Sequence, residues 1–175
     1  MSFLQIIKPD VPYIISTNTL VLKTIRKESR LMTLIMENDS QFTHPRKSLH
    51  LIRASCHHYG TSFKVATYNA KKILNNRHKV PIVVAFDHGF PLIMMPTLST
   101  DSEQNVWIAF HAIVNIKPEG AVRTTIELTN KHFIIVDSSE TTIRRQMTLA
   151  YILQRAYQQN FSQFRGTWIP NLPYA

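Results

Sequence analysis

Cys56 stands directly before two histidines, His57 and His58. An imidazole that removes the proton of a neighbouring thiol creates a strong nucleophile, so this triplet is the sharpest catalytic hypothesis in the chain. Catalytic partners are usually brought together from distant positions, however, and the helical pattern around Cys56 places it among apolar residues. We therefore expect a small buried thiol and no enzyme, since no Gly-rich phosphate loop, nucleophile elbow or carboxylate pair accompanies it.

The eight histidines raise the question of a metal site. A structural zinc site needs closely spaced pairs of Cys and His, but Cys56 is the only cysteine and the histidines are scattered through turns and strands. We expect no metal and no cofactor. A single cysteine also excludes an intramolecular disulfide, which fits a reducing, cytoplasmic compartment.

Binding chemistry is better represented than catalytic chemistry, because residues 40–86 contain no Asp or Glu. The net charge of the chain is +9, and residues 48–80 alone contribute +6 (six Lys and Arg, no Asp or Glu). Residues 81–137 sum to −3 (three Lys and Arg, six Asp and Glu). Such a one-signed surface suits a polyanionic partner, either nucleic acid or an anionic membrane. The lysine-bearing helical pattern over residues 63–74 has two alanines opposite its charges, where a membrane-surface helix needs large apolar residues, so we favour nucleic acid.

Three helices are expected to position these charges. In the first, from Ser48 as N-cap to a stop at Gly60, apolar residues recur at three- and four-residue spacing, while another face carries His50, Arg53 and His57. Ser62 caps the second helix. Its apolar residues are Phe63, Ala66, Ala70, Ile73 and Leu74, and its opposite face carries Lys64, Lys71 and Lys72.

The last and longest helix begins after Ser138 or Ser139, with Glu140 in its first turn. Its apolar stripe consists of Ile143, Met147, Ala150, Tyr151, Tyr157 and Phe161. Its polar side is again basic, with Arg144, Arg145 and Arg155 beside Thr148 and Gln159. From Gly166 onward the chain is short and proline-rich, so we expect a tail there.

Strands fill the remainder of the pattern. Residues 12–25 and 30–37 predict an antiparallel pair, and 38–47 predict a connection into the first helix. Residues 80–86 and 90–95 flank a turn at 87–89, and Pro91 and Pro96 indicate that the second of these strands is short or lies at an edge. Three more strands are expected at 106–116, covered on both faces, at 122–129, with Val122, Thr124, Ile126 and Leu128 inward, and at 132–136.

Several short blocks resemble one family in one order. The block of residues 55–63, Ser-Cys-His-His-Tyr-Gly-Thr-Ser-Phe, resembles the Ser-Cys-Arg-Phe-Phe-Gly-Ser-Ser-Tyr block of the ComK family of competence transcription factors. Residues 78–82 are similar to that family's His-Lys-Pro-Pro-Ile, residues 96–99 to its Phe-Pro-Thr-Leu-Ser, and residues 106–111 to its Trp-Ile-Ser-His segment. The turn at 129–131 and the arginine-bearing helix follow in the expected order.

The resemblance implies a transcriptional activator that binds double-stranded, A/T-rich DNA as a homo-oligomer, through the minor groove. Narrow A/T-rich minor grooves attract inserted Arg and Lys, which suits the basic faces. It also implies RNA polymerase and a proteolytic adaptor as partners, and a location at the bacterial nucleoid. The alternative is a non-catalytic, protein-binding regulator, a paralogue that has lost DNA activation.

This chain departs from the family pattern at three places. Residues 57–58 are His-His where the family has Arg-Phe, residues 64–67 stand in place of its Gly-Arg-Lys-x-Gly-Thr, and residues 168–170 in place of its C-terminal Phe-Met-Leu-Tyr-Pro type of segment.

The expected architecture is a single α+β domain over residues 1–165, an antiparallel sheet with two short helices in the first half and one long C-terminal helix, followed by a tail at 166–175. The candidate DNA-binding residues are Lys64, Lys71, Lys72, Arg77, Lys79, Arg144, Arg145 and Arg155.

Overall fold

A computed structural model describes residues 5–6 and 11–168 of the chain. Seven strands form the larger sheet in the order β1-β4-β3-β2-β7-β6-β5, in which only the β1–β4 pair is parallel. The strands are β1 (Gln5–Ile6), β2 (Thr19–Lys27), β3 (Arg30–Glu37), β4 (Gln41–His44), β5 (Ile82–Asp87), β6 (Phe90–Pro96) and β7 (Val106–Ala109).

A second, antiparallel sheet has the order β10-β9-β8, with β8 (Ile113–Glu119), β9 (Arg123–Leu128) and β10 (Phe133–Val136). The helices are α1 (Ser48–His58), α2 (Phe63–Ile73) and α3 (Glu140–Trp168). The α+β class, with two short helices and one long C-terminal helix, is confirmed. The strands are divided between two sheets.

Strand β6 shows how the larger sheet is covered on both faces, because its residues alternate between two core clusters. Leu92 and Met94 belong to the cluster that contains Ile52 of α1. Ile93 and Met95 belong to the cluster that contains Leu149, Ala150 and Leu153 of α3. α1 and the part of α3 around Ala150 therefore lie on opposite faces of the sheet, whereas α2 and the start of α3, through Ile143, also reach the cluster that contains α1.

The first predicted strand was placed too early, since β2 begins at Thr19 and not at residue 12. The backbone before it is bound elsewhere: Ile15 N donates to Ser55 Oγ at 3.0 Å, and Thr19 N closes a turn onto the Ser16 carbonyl oxygen at 3.0 Å. The hairpin turn is tighter than expected. Glu28 and Ser29 both have positive φ, so residues 26 and 27 remain in the strand.

Part of the segment predicted as a connection is a strand, because β4 pairs with β3. It is short and carries polar residues, so its sequence gives no period-2 signal. The strand is held in place by hydrogen bonds of a side chain instead. The His44 ring accepts from Arg46 N at Nδ1, 3.1 Å away, and its Nε2 lies 3.1 Å from the Val11 carbonyl oxygen, to which it donates in the tautomer that this arrangement requires.

The prolines of β6 do not place it at an edge, contrary to expectation. β6 is seven residues long and lies between β5 and β7, whereas β5 is the edge strand. Pairing with β7 is limited to residues 94–96, so Pro91 lies where β6 has a neighbour on only one side. Pro96 is the last residue of the strand.

The strand predicted at 106–116 is broken by a 3-10 turn at Phe110–Ala112, which transfers the chain from one sheet to the other. Burial on both faces is confirmed for β7, but β8 is largely exposed. In β9 the inward alternation of Thr124, Ile126 and Leu128 is confirmed. Val122 precedes β9 and is 70% exposed, so its inward assignment was wrong.

The N-termini of α2 and α3 agree with the sequence and that of α1 does not, while α3 continues to Trp168, past the start of the tail predicted at Gly166. Ser62 Oγ accepts from Val65 N at 3.2 Å, and Ser139 Oγ accepts from Thr142 N at 3.3 Å. At α1 the N-cap is Lys47, because the Ser48 hydroxyl is already bound to Thr24 Oγ1, 3.1 Å away. Tyr151 was also misplaced: it is 56% exposed, and Gln146, Leu149 and Leu153 are buried on α3 instead.

Gly89, in the β5–β6 turn, is expected to tolerate substitution poorly. Its φ is +87°, and a Cβ there would lie 3.0 Å from the Phe161 ring of α3. Gly89→Ala should lower the free energy of unfolding by more than the roughly 1–2 kcal/mol that a left-handed conformation costs an L-residue. Urea denaturation measures the change.

Gly60→Ala is the matched control, because Gly60 has a φ of +81° and nothing within 4 Å of the added Cβ. It should show the backbone cost alone. Equal losses in the two variants would contradict the packing of α3 against this turn.

Candidate nucleic-acid interface

The acid-free segment forms α1, α2 and the loop into β5. α1 is held on the sheet by its buried residues Leu51, Ile52 and Cys56. Tyr59 OH, just beyond its end, donates to the Ile15 carbonyl oxygen at 2.7 Å. Gly60, with positive φ, ends the helix as predicted, and the Thr61 N–H returns to the Cys56 carbonyl oxygen at 3.0 Å. These contacts fix the outer face of α1 relative to that of α2.

Arg53 belongs to this surface, although it is absent from the residues predicted to bind DNA. It is exposed, and its guanidinium carbon lies 5.8 Å from the centroid of the Phe63 ring. Phe63 in turn packs edge-on against the fully buried Trp107, with ring centroids 6.3 Å apart. The sequence spacing between Arg53 and Phe63 does not predict this contact, because the two residues lie on different helices. The sequence signal for Arg53 was the helical face that it shares with His50 and His57, which predicts exposure to solvent.

The three lysines of α2 point to different surroundings. Lys64 and Lys72 are exposed, whereas Lys71 is half-buried and lines a cleft with Phe63 and Trp107. Lys72 borders a groove on the side of α3. The predicted basic face is therefore broader than a single stripe, and Lys64 and Lys71 lie about 10 Å apart along the helix axis.

Lys79 is anchored in the structure. Its Nζ donates to the Thr97 carbonyl oxygen at 2.9 Å, and Gln146 Nε2 of α3 donates to the Lys79 carbonyl oxygen at 3.1 Å. Burial, and then repulsion from Arg145, lowers the pKa of the Lys79 ammonium below its usual value. The loop before β5, the end of β6 and the start of α3 thus meet at this lysine, while Arg77 remains exposed beside it.

The three arginines predicted on α3 are all exposed but differ in their partners. Arg144 is bound by Glu140, with Nε 2.7 Å and Nη2 2.6 Å from the same carboxylate oxygen. Arg145 lies close enough to Lys79 to affect its charge. Arg155 is eleven residues beyond Arg144, about 16 Å along the axis. Among the arginines predicted on α3, Arg145 is therefore the one that the fold brings next to Lys79.

Carboxylates are missing around these cations in space as well as in sequence. Within residues 11–164, the ion pairs of Lys and Arg join Arg26 to Glu103 and Arg144 to Glu140. The predicted cations of α2 and the following loop have no carboxylate partner there. The charge of the exposed members, Lys64, Lys72 and Arg77, is consequently available to an external anion.

The surroundings of Cys56 do not activate a nucleophile. The side chain is fully buried in the core, and burial raises the pKa of its thiol to about 11. His57 and His58 lie at the exposed end of the helix. The predicted role of Cys56 as a core residue is confirmed, since a thiol with a raised pKa is mostly protonated near neutral pH.

Neither a cluster of metal-ligating residues nor a membrane-spanning helix is found among the described residues. No group of three or more His, Cys, Asp or Glu residues there could hold a metal ion. No described helix combines the length and apolarity needed to cross a bilayer.

An aromatic groove lies between α2, β5 and α3. Phe86 of β5 is its centre, with ring centroids 5.7 Å from Tyr157 and 5.4 Å from Phe161. The groove has a volume of about 650 Å³ and extends to Phe164 and Lys72. Phe86 and Phe164 are exposed. Such an exposed aromatic surface is typical of a contact with another protein.

Comparison with known proteins gives two matches. A family model described as ComK protein matches residues 11–162. The chain is 26% identical over 157 residues to a competence transcription factor of Bacillus subtilis (strain 168), covering 86% of this chain and 79% of that protein. No solved structure matches.

Proposed function

This chain belongs to the ComK family, and on that premise we propose that it is a DNA-binding activator of competence genes that recognises A/T-rich sites through the minor groove. A relative of this chain carries the name competence transcription factor. The observation that carries the proposal is the set of cations from α2 to β5 that have no carboxylate partner among the described residues.

The exposed cations suit phosphate contacts. Lys64, Lys72 and Arg77 are exposed, as are Arg145 and Arg155 of α3. Phosphate neutralisation releases counterions from DNA, which supplies much of the affinity of proteins with such surfaces. Lys71 and Lys79 are half-buried, so we assign them to the edge of the contact. Arg144 is bound to Glu140, and we place it last among the candidates.

Selectivity for A/T-rich DNA is a further part of the proposal. Narrow A/T-rich minor grooves have an enhanced negative potential that attracts Arg and Lys. Displacement by a minor-groove drug tests it: a fluorescent A/T-rich duplex bound to the chain should be released by the drug at concentrations that saturate the groove. Retention of the complex would contradict minor-groove binding.

Oligomerisation follows from the proposed family role, and the aromatic groove defined above is our candidate for the subunit contact. RNA polymerase and a proteolytic adaptor are further proposed partners, and the site of action is the nucleoid in the cytoplasm. The segment proposed for an adaptor is residues 168–170, of which residues 169 and 170 lie outside the described part.

The alternative of a regulator that binds only proteins is favoured by one observation, the exposed aromatic residues of that groove. It predicts capture of protein partners without any gel shift of DNA. The basic surface distinguishes the two functions, because a protein-only regulator has no use for unpaired cations on α2.

No catalytic step is proposed, and Cys56 provides the test. Cys56→Ala should retain DNA affinity and lose roughly 1–2 kcal/mol of stability, because a fully buried side chain is shortened. Urea denaturation and a gel shift measure the two effects. Lost function at unchanged stability would instead favour the nucleophile hypothesis.

A further inference from the structure

A cleft of about 300 Å³ opens between α2, the loop before β5 and the loop after β6. Phe63, Thr67 and Lys71 of α2 form one wall, Lys79 and Ser99 another, and Trp107 of β7 the floor. This basic cleft is separate from the aromatic groove, with which it has no lining residue in common.

Two residues that line this cleft each carry a buried polar atom without a hydrogen-bond partner. The atoms are Trp107 Nε1 and Thr67 Oγ1, neither of which forms a hydrogen bond to any described residue. A buried indole N–H or hydroxyl without a partner is unfavourable, so native proteins rarely keep one without a reason. Two such atoms at one cleft indicate a ligand that accepts hydrogen bonds.

The charges at the cleft are all positive. Lys71 and Lys79 line it together with His78, and Arg145 lies close enough to Lys79 to affect its charge. The described lining residues include no Asp or Glu. Lys79 Nζ is held by the Thr97 carbonyl oxygen, so its position is fixed before any ligand arrives. Lysines of this kind bind phosphate as point charges.

The remaining lining is apolar. The Phe63 and Trp107 rings meet edge-on at an interplanar angle of 86°, and Val80 and Ile82 complete the wall. Ligand pockets combine such apolar walls with a few polar groups, and this volume stands at the lower end of their usual range. The occupant therefore has a ring or short apolar part and is small.

We propose that the basic cleft binds a small phosphomonoester, no larger than a nucleoside monophosphate, with its phosphate at Lys71 and Lys79. An acceptor atom of the ligand takes the Trp107 indole N–H, and its ring lies against Phe63. This inference does not rest on DNA binding, and no DNA is needed to test it.

The test uses Trp107 as its own reporter. The chain has two tryptophans, so in a Trp168→Phe background the fluorescence comes from Trp107 alone. Phenyl phosphate and adenosine monophosphate are the probes, with inorganic phosphate and phenol as comparisons. We expect a saturable change in Trp107 emission with at least one organic phosphate, and weaker binding of inorganic phosphate and phenol.

Two variants of the cleft identify the site. Lys71→Met should weaken the binding of the organic phosphate about tenfold or more, as the loss of one charge-assisted contact does. Thr67→Val should weaken it several-fold. Their matched controls should leave binding unchanged: Lys117→Met removes an exposed lysine of β8, and Thr43→Val removes another buried hydroxyl without a partner, in β4.

Circular dichroism confirms that each variant is folded. No saturable response to either organic phosphate overturns the proposal. Equal weakening by Lys71→Met and Lys117→Met also overturns it, because the attraction is then one of net charge. If inorganic phosphate binds as tightly as the organic probes, the apolar wall does not contribute to binding, and that part of the proposal is wrong.

Discussion

Replacement of Lys64, Lys72 and Arg77 by methionine is expected to weaken binding to an A/T-rich duplex steeply and to flatten its salt dependence. These three side chains are exposed and have no carboxylate partner among the described residues. Each phosphate contact contributes about 0.9 to the slope of log K against log salt, so three lost contacts lower that slope by nearly three units. Fluorescence anisotropy between about 50 and 200 mM salt measures the slope: this rise in salt should weaken the binding of the variant about 40-fold less than it weakens that of the unaltered chain.

A second triple variant removes the same amount of positive charge from another part of the surface. Lys27, Lys117 and Arg123 are also exposed, and they lie on β2, β8 and β9. Their replacement by methionine lowers the net charge equally and should leave the salt slope nearly unchanged. If the two triple variants behave alike, the effect comes from net charge, and the assignment to α2 and its loop is wrong.

Trp107→Ala is expected to cost about 3–5 kcal/mol of stability, the largest effect of any single substitution considered for the core. Trp107 is fully buried in β7, where both neighbouring strands and the Phe63 ring contact it. Domains of this kind unfold with a total of about 5–15 kcal/mol, so the variant is partly unfolded or close to it. Urea denaturation followed by circular dichroism measures the loss.

Trp107→Phe separates packing from hydrogen bonding. Because Trp107 Nε1 has no partner among the described residues, its removal breaks no hydrogen bond within the protein. The phenylalanine variant should therefore lose much less stability than the alanine variant. A loss as large as that of alanine would show that the indole N–H has a partner within the folded chain.

Much of the fold was predictable where local chemistry decides the conformation. Ser62 as an N-cap, Gly60 as a helix stop and the alternation from Thr124 to Leu128 follow from backbone capping and from the two-residue period of strands. These features depend on neighbours within a few residues. They were therefore visible in the sequence before any tertiary contact was known.

The failures at β4, Pro91 and Phe110 involve tertiary context. β4 is held by its pairing with β3 and by the bonds of the His44 ring, neither of which a four-residue polar segment reveals. Pro91 is tolerated in an interior strand because β7 stops short of it. At Phe110 the chain passes from the larger sheet to the smaller one, although the apolar sequence pattern continues through this point.

The candidate site was predicted in part. The lack of carboxylates from residue 40 to 86 indicated the charged surface, and the structure adds no carboxylate partner to it among the described residues. The sequence did not distinguish the exposed Lys64 from the anchored Lys79, because that difference depends on the Thr97 carbonyl oxygen. It also did not place Arg145 beside Lys79, since 66 residues and several strands separate them.

DNA binding by this basic surface is tested most directly by one titration of the unaltered chain. Equal lengths of A/T-rich and G/C-rich duplex are titrated by anisotropy across a salt series. We expect tighter binding to the A/T-rich duplex and a log K that falls steeply and linearly with log salt. Binding that is absent, or that does not change with salt, would contradict it.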